Sequence, residues 1–539
     1  MILLMYTMKR RPPDETKETT GKFVFLLFCG TFVCATKSQA KILTIKHSTK
    51  NVYTTKYQRE ATSYLTKWKK GKRTLDAPLL VKNPYGTLST SIYFYAVSTE
   101  PLYAKYTITA KGAETISGTL AGGSEANVRL THEYLIPGLA AGRKNTVEIN
   151  FYNAANEWKK TVRFSTTPKK EKAIPKIKKV KNGKSKTAVS LGFYAMFGPD
   201  KSDATNIYYY DNNGVSRGLT PLNGYRTDRI LTVDGNWIFS YDIDKLAVMN
   251  RLGHIVRQIS LKGYELHHDF MYDAAHKKLL CLVNDKKKKT IEDVVISVDI
   301  KTKKTKKLVD FAKLMSASRK KHVQRKGGKN TYGGTELDWL HLNSLDLIND
   351  GELIVSSREE SSLVKVSNIY KKPKIKYIIH SGSLYKKTSL AKYLLKRTGV
   401  KFVGHAGQHT ITVEKDDTLP NGQYYLYLYN NNFGSAKTLP KFSWKSYKGV
   451  GSYKKGKASY YYKYLVDEKK KTYRLVKKFA VPYSSVVSSV QHFDENITFS
   501  SGMNHTYGEY DKNGKMIRTF TYQSKRYAYR VMKYKYDIF

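Results

Sequence analysis

The stretch Leu342-Asn343-Ser344-Leu345-Asp346-Leu347-Ile348-Asn349-Asp350-Gly351-Glu352-Leu353-Ile354-Val355-Ser356-Ser357 reads as two short strands joined by a tight turn. Asn, Asp and Gly supply the backbone angles a hairpin turn needs, and the flanking residues suit a half-buried pleated surface. The same theme recurs through residues 187–539, with turns at Asp211-Asn212-Asn213-Gly214, Pro420-Asn421-Gly422 and Asp511-Lys512-Asn513-Gly514. No sustained 3.6-residue apolar stripe interrupts it, although 310–319 and 384–398 have room for short helices. Antiparallel hairpins over that length predict a β-propeller, because radial repetition leaves few exposed sheet edges.

Upstream, residues 77–168 hold strand-like runs at 91–97, 103–110, 126–131, 145–152 and 158–165, the rhythm of a small β-sandwich. Residues 169–186, rich in lysine and proline, read as a basic linker, and so do the Lys/Thr-rich residues 41–76. Residues 1–40 read as a signal peptide or signal anchor. Lys9, Arg10, Arg11, Lys17 and Lys22 precede an apolar run at 23–35, and Ser38-Gln39-Ala40 resembles a cleavage site. The expectation is a secreted or extracytoplasmic, cell-surface associated protein. Cys29 and Cys34 fall inside that segment, so cleavage leaves Cys281 with no disulfide partner.

Tyr (43) far outnumbers Phe (20) and Trp (5), which favours an all-β fold. The 95 Lys and Arg against 44 Asp and Glu give a net charge of +51, so anionic partners must be weighed. The basic residues are scattered, with no zinc-finger spacing, basic helix or RNP-type motif, which argues against specific nucleic-acid binding. Electrostatic association with an anionic cell envelope fits the charge as well as a solvated surface does.

Five histidines cluster in three segments: His267-His268-Asp269, Trp339-Leu340-His341-Leu342-Asn343 and His405-Ala406-Gly407-Gln408-His409. His268 and His341 are 73 positions apart and His341 and His409 are 68 apart, an interval that fits one motif per blade or so. Strand alternation puts Trp339, His341 and Asn343 on one face, His405, Gly407 and His409 on one face, and His267 and His268 on opposite faces. Arg358, at the end of the strand paired with the His341 segment, brings a permanently charged fork of donors suited to a tetrahedral oxyanion. Imidazoles beside an arginine would repel a dication, so no metal is expected.

These segments, taken in order, resemble the active-site signatures of the bacterial aryl-sulfate sulfotransferases, and Ala77-Pro78-Leu79 with Asn83-Pro84-Tyr85-Gly86 resembles the opening of that family's amino-terminal domain. The resemblance implies an immunoglobulin-like β-sandwich followed by a six-bladed β-propeller. It implies sulfuryl transfer from a phenolic sulfate donor to a phenol acceptor, without adenosine phosphosulfate or any other cofactor. It makes His409 the nucleophile, with His341, His267 or His268, Asn343 and Arg358 around the sulfuryl oxygens. A late hydroxyl residue is also implied, for which Ser485, Ser488 and Ser489 are the candidates. Where periplasmic relatives carry a propeller disulfide, this chain has the lone Cys281. Assembly as a homodimer is compatible with this reading.

The chemistry has its own logic. A neutral imidazole is a competent nucleophile near pH 7, and sulfuryl transfer, like phosphoryl transfer, calls mainly for positioning and charge stabilisation. Two other readings of the same residues are a non-catalytic propeller binding anionic glycans or wall polymers, and a sulfatase that passes the group to water.

Overall fold

The computed structural model describes residues 41–198, 206–330, 332–442, 444, 457–536 and 538–539; the expected targeting segment at 1–40 lies outside the described residues. Among the described residues no helix is long and apolar enough to cross a membrane.

The predicted hairpins form, and they build a six-bladed propeller. Leu342–Asn349 pairs with Glu352–Ser357 so that Asn349 faces Glu352 across the turn, where Gly351 takes a φ of 65°. Two further strands, Ser362–Ser367 and Lys374–His380, complete this blade, blade 4. Blades 2 and 3 follow the same four-stranded plan, beginning at Leu231–Val233 and Tyr264–Asp273. Blade 5 begins at His409–Glu414 and adds the short parallel strand Lys396–Arg397 at its outer edge.

Chain ends close the ring. The innermost strand of blade 1 is Arg530–Tyr534, from the carboxyl end, paired with Phe193–Phe197. Blade 6 begins at Ser489–Phe493 and takes Lys176–Asn182 as its outermost strand. Part of the 169–186 segment, read from sequence as a linker, is therefore a blade strand.

The module before the propeller is a seven-stranded sheet. The runs expected at 91–97 and 103–110 are one strand, Ile92–Ala110, which pairs first with Leu79–Lys82 and Arg129–Ile136 and then with Ile116–Thr119 and Asn145–Tyr152. Residues 41–76 also fold, contrary to the linker reading. They form the strand Ile42–Thr44 and the helix Thr55–Lys69, capped by the Thr54 side chain, with Tyr57, Ala61 and Leu65 buried at four-residue spacing. Those side chains share one core with Phe193 and Phe197 of blade 1, Trp237 of blade 2 and Phe539. Thr90 Oγ1 donates to the Arg217 carbonyl (2.6 Å), tying this sheet to blade 1.

Of the two stretches with room for helices, 310–319 contains the one-turn helices Phe311–Leu314 and Ser316–Arg319. The other, 384–398, has only the 3-10 turn Ala391–Tyr393 before Lys396–Arg397.

Candidate active site

His341, Asn343, His409, Ser488 and Ser489 sit at or next to the start of an innermost strand, His267 and His268 lie within one, Ser485 precedes one by four residues, and Arg358 directly follows the second strand of blade 4. His267 and His268 lie in Tyr264–Asp273, where the register slips between Leu266 and Phe270. His341 immediately precedes Leu342–Asn349, and His409 is the first residue of His409–Glu414. His268, His341, Thr410 and Ser488 have left-handed backbones, with φ of 58°, 50°, 57° and 93°. Side-chain-bearing residues adopt that region at a cost, and its repetition here marks a place where surrounding packing enforces it.

Strand alternation fails at these positions for that reason. His267 and His268 do not point to opposite faces; their Nδ1 atoms are 3.1 Å apart and both rings are buried. Trp339 and His341 part company too. Trp339 is fully buried in the core between blades 3 and 4, its Nε1 donating to Asp293 (2.9 Å), while His341 packs edge-on against His268, ring centroids 4.9 Å apart. His405 lies before the strand and bonds Tyr464 (3.1 Å).

His409 has a defined tautomer. Its Nδ1 lies 3.1 Å from the Gly407 carbonyl and 2.7 Å from Oδ1 of Asn431. Asn431 cannot be turned over, because its Nδ2 already donates to the carbonyls of Ser484 (2.8 Å) and Val487 (3.0 Å). Nδ1 therefore carries the hydrogen, and Nε2 is left with its lone pair and no partner among the described residues. Burial, opposed by the Asn431 bond and reinforced by Arg358 and His341, lowers the His409 pKa to about 3. The ring is neutral at physiological pH.

His341 is the opposite case. Burial disfavours its charge, but Asp338 (2.9 Å) and Glu292 (2.6 Å) flank Nδ1 and raise its pKa to about 10. His267, by contrast, is lowered to about 3 and His268 well below its ordinary value, by burial and the charge of His341. One imidazolium thus sits among neutral imidazoles, with Arg358 nearby on Glu359 (2.5 Å). Arg325 Nη2 spans Glu359 (3.4 Å) and Asp338 (3.3 Å), linking the two charges.

Asn343 and Gln408 brace the strand that begins at His409. The Asn343 amide donates to the Gln408 carbonyl (2.7 Å), and Gln408 Nε2 reaches Ser356 Oγ (2.9 Å), the Ser357 carbonyl (3.0 Å) and the Ser362 carbonyl (3.1 Å). Of the late serines, Ser488 accepts from the Gly502 amide (3.1 Å) and Ser489 donates to the Val531 carbonyl (3.1 Å), while Ser485 is half-buried in the same turn. Cys281 is a buried free thiol in blade 3, its pKa pushed up by burial.

Several participants carry no sequence motif. Arg530 holds Asp269 (3.0 Å) and the Asn343 carbonyl (2.9 Å), and Tyr529 packs near both His268 (5.4 Å) and His409 (6.3 Å). Asn431 sits two residues beyond Tyr429, which is opposite His409 in the hairpin; only the run Asn430-Asn431-Asn432 hinted at it. His267, His268 and Glu292, or Glu292, Asp338 and His341, present ligand atoms within 4.8 Å of one another and are the groups able to hold a metal. Once His341 carries its proton, its Nδ1 lies between the Asp338 and Glu292 carboxylates as an ion pair with each.

A propeller with neutral and charged histidines gathered on its inner strands and an arginine beside them is the class of protein defined here, a group-transfer propeller for an anionic group. Residues 177–537 match the family described as Arylsulfotransferase (ASST), and the chain belongs to that family. Aryl sulfotransferase activity, with an aryl sulfate donor and a phenol acceptor, comes with that membership. No curated protein matches the chain. Solved structures similar to it include a protein of unknown function from Bacteroides caccae (9% identity, 64% of this chain and 99% of that one, TM-score 0.36). The WD40 domain of Toxoplasma gondii coronin is another (10% identity, 65% and 78%, TM-score 0.32).

Proposed function

We propose that this protein moves a sulfuryl group between phenols in two steps, through a sulfated His409. The observation that carries the reading is the fixed tautomer: Nδ1–H is held by Gly407 and Asn431, so Nε2 is the lone pair that attacks. Attack on an aryl sulfate forms the Nε2–S bond as the S–O bond to the aryl oxygen breaks, releasing a phenolate that takes a proton from water. A second phenol, giving up its proton to water, then bonds the sulfur as the Nε2–S bond breaks and the imidazole is restored. Imidazolium His341 and the Arg358 guanidinium stand ready for the equatorial oxygens, where charge is spread in the transition state. Neutral His268 and His267 add neutral polar groups without raising the total charge. One site serving donor and acceptor in turn gives ping-pong kinetics.

The test uses a chromogenic aryl sulfate with and without a phenol acceptor. Sulfated acceptor should form, and colour release should depend on the acceptor concentration. His409→Ala should lower turnover by about 10⁴-fold or more while the thermal unfolding profile stays the same. Turnover retained in that variant, or release of free sulfate without an acceptor, would overturn the reading.

A further inference from the structure

A second charged feature lies away from the histidines, on the basic segment 169–186. A groove of about 840 Å³ opens where this segment passes between the amino-terminal module and blade 1. Six cationic side chains line it, Arg143, Lys170, Lys172, Lys176, Lys178 and Lys179, against the acid Glu171. All five lysines are exposed, and among the described residues none of them has an ion-pair partner. The outermost strand of blade 3 shows the contrast, because there Lys307 is met by Asp285 (2.5 Å). Like charges gathered without counter-charges repel one another, and an anion laid among them removes that cost.

The walls of the groove are tied in place. Tyr210 donates to the Pro175 carbonyl (2.6 Å), the Gly142 amide to the Pro168 carbonyl (2.8 Å) and the Ala141 amide to the Ser216 carbonyl (3.0 Å). The groove is also remote from the site. Tyr210 pairs with Tyr194, at the opposite end of blade 1 from Arg530, which pairs with Phe197.

Charge spacing and lining select the ligand. Lys176 to Lys179 extend about 10 Å along the outermost strand of blade 6, at about 3.3 Å per residue, farther than one small anion reaches. Tyr210, the aromatic side chain in the lining, is buried, so nucleobases and sugar rings find no face to stack on. Lysine ammonium is a point charge, which suits a phosphodiester without requiring two-pronged geometry. Lysines on an edge strand also guard it against pairing with other sheets, but that does not account for Arg143, Lys170 and Lys172, which lie outside the strand. We propose that this groove binds a linear phosphodiester polymer without bases, a polyol phosphate, and holds the protein on it with the histidine site left free. Such binding is independent of the sulfuryl-transfer chemistry.

The probe is a fluorescent synthetic glycerol-phosphate oligomer, titrated with the full chain at several salt concentrations and with no aryl sulfate present. Saturable binding that weakens with salt is expected, and its absence at low salt would overturn the proposal. Lys170→Gln, Lys178→Gln and Lys179→Gln together should weaken binding by about tenfold or more and reduce the slope of log Kd against log salt by about two, at about 0.7 for each lost phosphate contact. Lys170→Gln alone should already reduce the slope by about 0.7. Lys301→Gln, Lys304→Gln and Lys306→Gln remove the same charge from exposed positions on blade 3 and should leave affinity and slope unchanged. Equal losses in the two triple variants would mean that net charge alone attracts the polymer, and would overturn the groove. Displacement of the oligomer by inorganic phosphate at equal phosphate concentration would make this a small-anion site. Equally tight binding of a single-stranded oligonucleotide of the same charge would make it a nucleic-acid site, and either result overturns the polyol-phosphate assignment. Because no donor is present, these results stand whether or not His409 becomes sulfated.

Discussion

An imidazole can attack through one nitrogen only if the other keeps the proton, and here that division is enforced by an amide two residues past the opposite strand position. Asn431 has both its functions fixed: Nδ2 faces two carbonyls, so Oδ1 must accept from His409. Together with burial this keeps His409 neutral down to about pH 3, while His341 stays protonated up to about pH 10. The sign is set by the form each needs. Neutral His409 requires a pH above its pKa, and cationic His341 a pH below its own. The release of the first phenol should therefore be flat across the neutral range, with no limb near the 6.5 of a free imidazole. Asn431→Asp places a carboxylate at Nδ1, raises the His409 pKa and should create such an acid limb, cutting the rate at pH 5 relative to pH 8 by about tenfold. A flat profile in that variant would contradict the tautomer assignment. At this scale the sequence was only half legible. Histidines and Arg358 stood out by type and spacing, but Asn431, Glu292 and Tyr529 act from turns beside neighbouring strands, and no linear spacing encodes such a partner.

Strand starts are the element that makes the site. In blades 3 to 6 a left-handed residue in or beside the inner strand, at His268, His341, Thr410 and Ser488, re-aims side chains that regular alternation would send elsewhere. That is why hairpins such as 342–357 were legible from Asn-Asp-Gly turns while the facing of His267 and His268 was not. Local φ depends on what packs against the turn. The helix Thr55–Lys69 was missed for a related reason: lysines and threonines hide the Tyr57, Ala61, Leu65 stripe, which only a core partner makes meaningful. The closing strand Arg530–Tyr534 joins structure to site, since Arg530 is buried against Asp269 and holds the carbonyl of Asn343. Arg530→Met breaks a buried pair, a change that costs about 3–5 kcal/mol in comparable settings. Asp269 keeps Arg229 (2.7 Å), so the lower end applies. The variant should unfold at lower urea concentration and lose transfer activity together; unchanged stability would mean that blade 1 closes without this pair.

At the scale of the molecule, sequence reading reached the architecture because repetition is a global signal: turns recur, strands recur, and a chain so built must hide its edges. How the ring closes was not readable, because strands Lys176–Asn182 and Arg530–Tyr534 enter blades 6 and 1 from far along the chain. The closed ring brings His268 of blade 3, His341 of blade 4 and His409 of blade 5 to one place, and the whole account depends on Nε2 of His409 accepting the sulfuryl group there. The direct measurement is peptide mass analysis of the intact protein after exposure to an aryl sulfate with no acceptor present. The account predicts one added SO3 on the peptide containing His409, lost when a phenol is added and absent from His409→Ala. Sulfation of another residue that turns over at the catalytic rate, or transfer with His409 never modified, would contradict it.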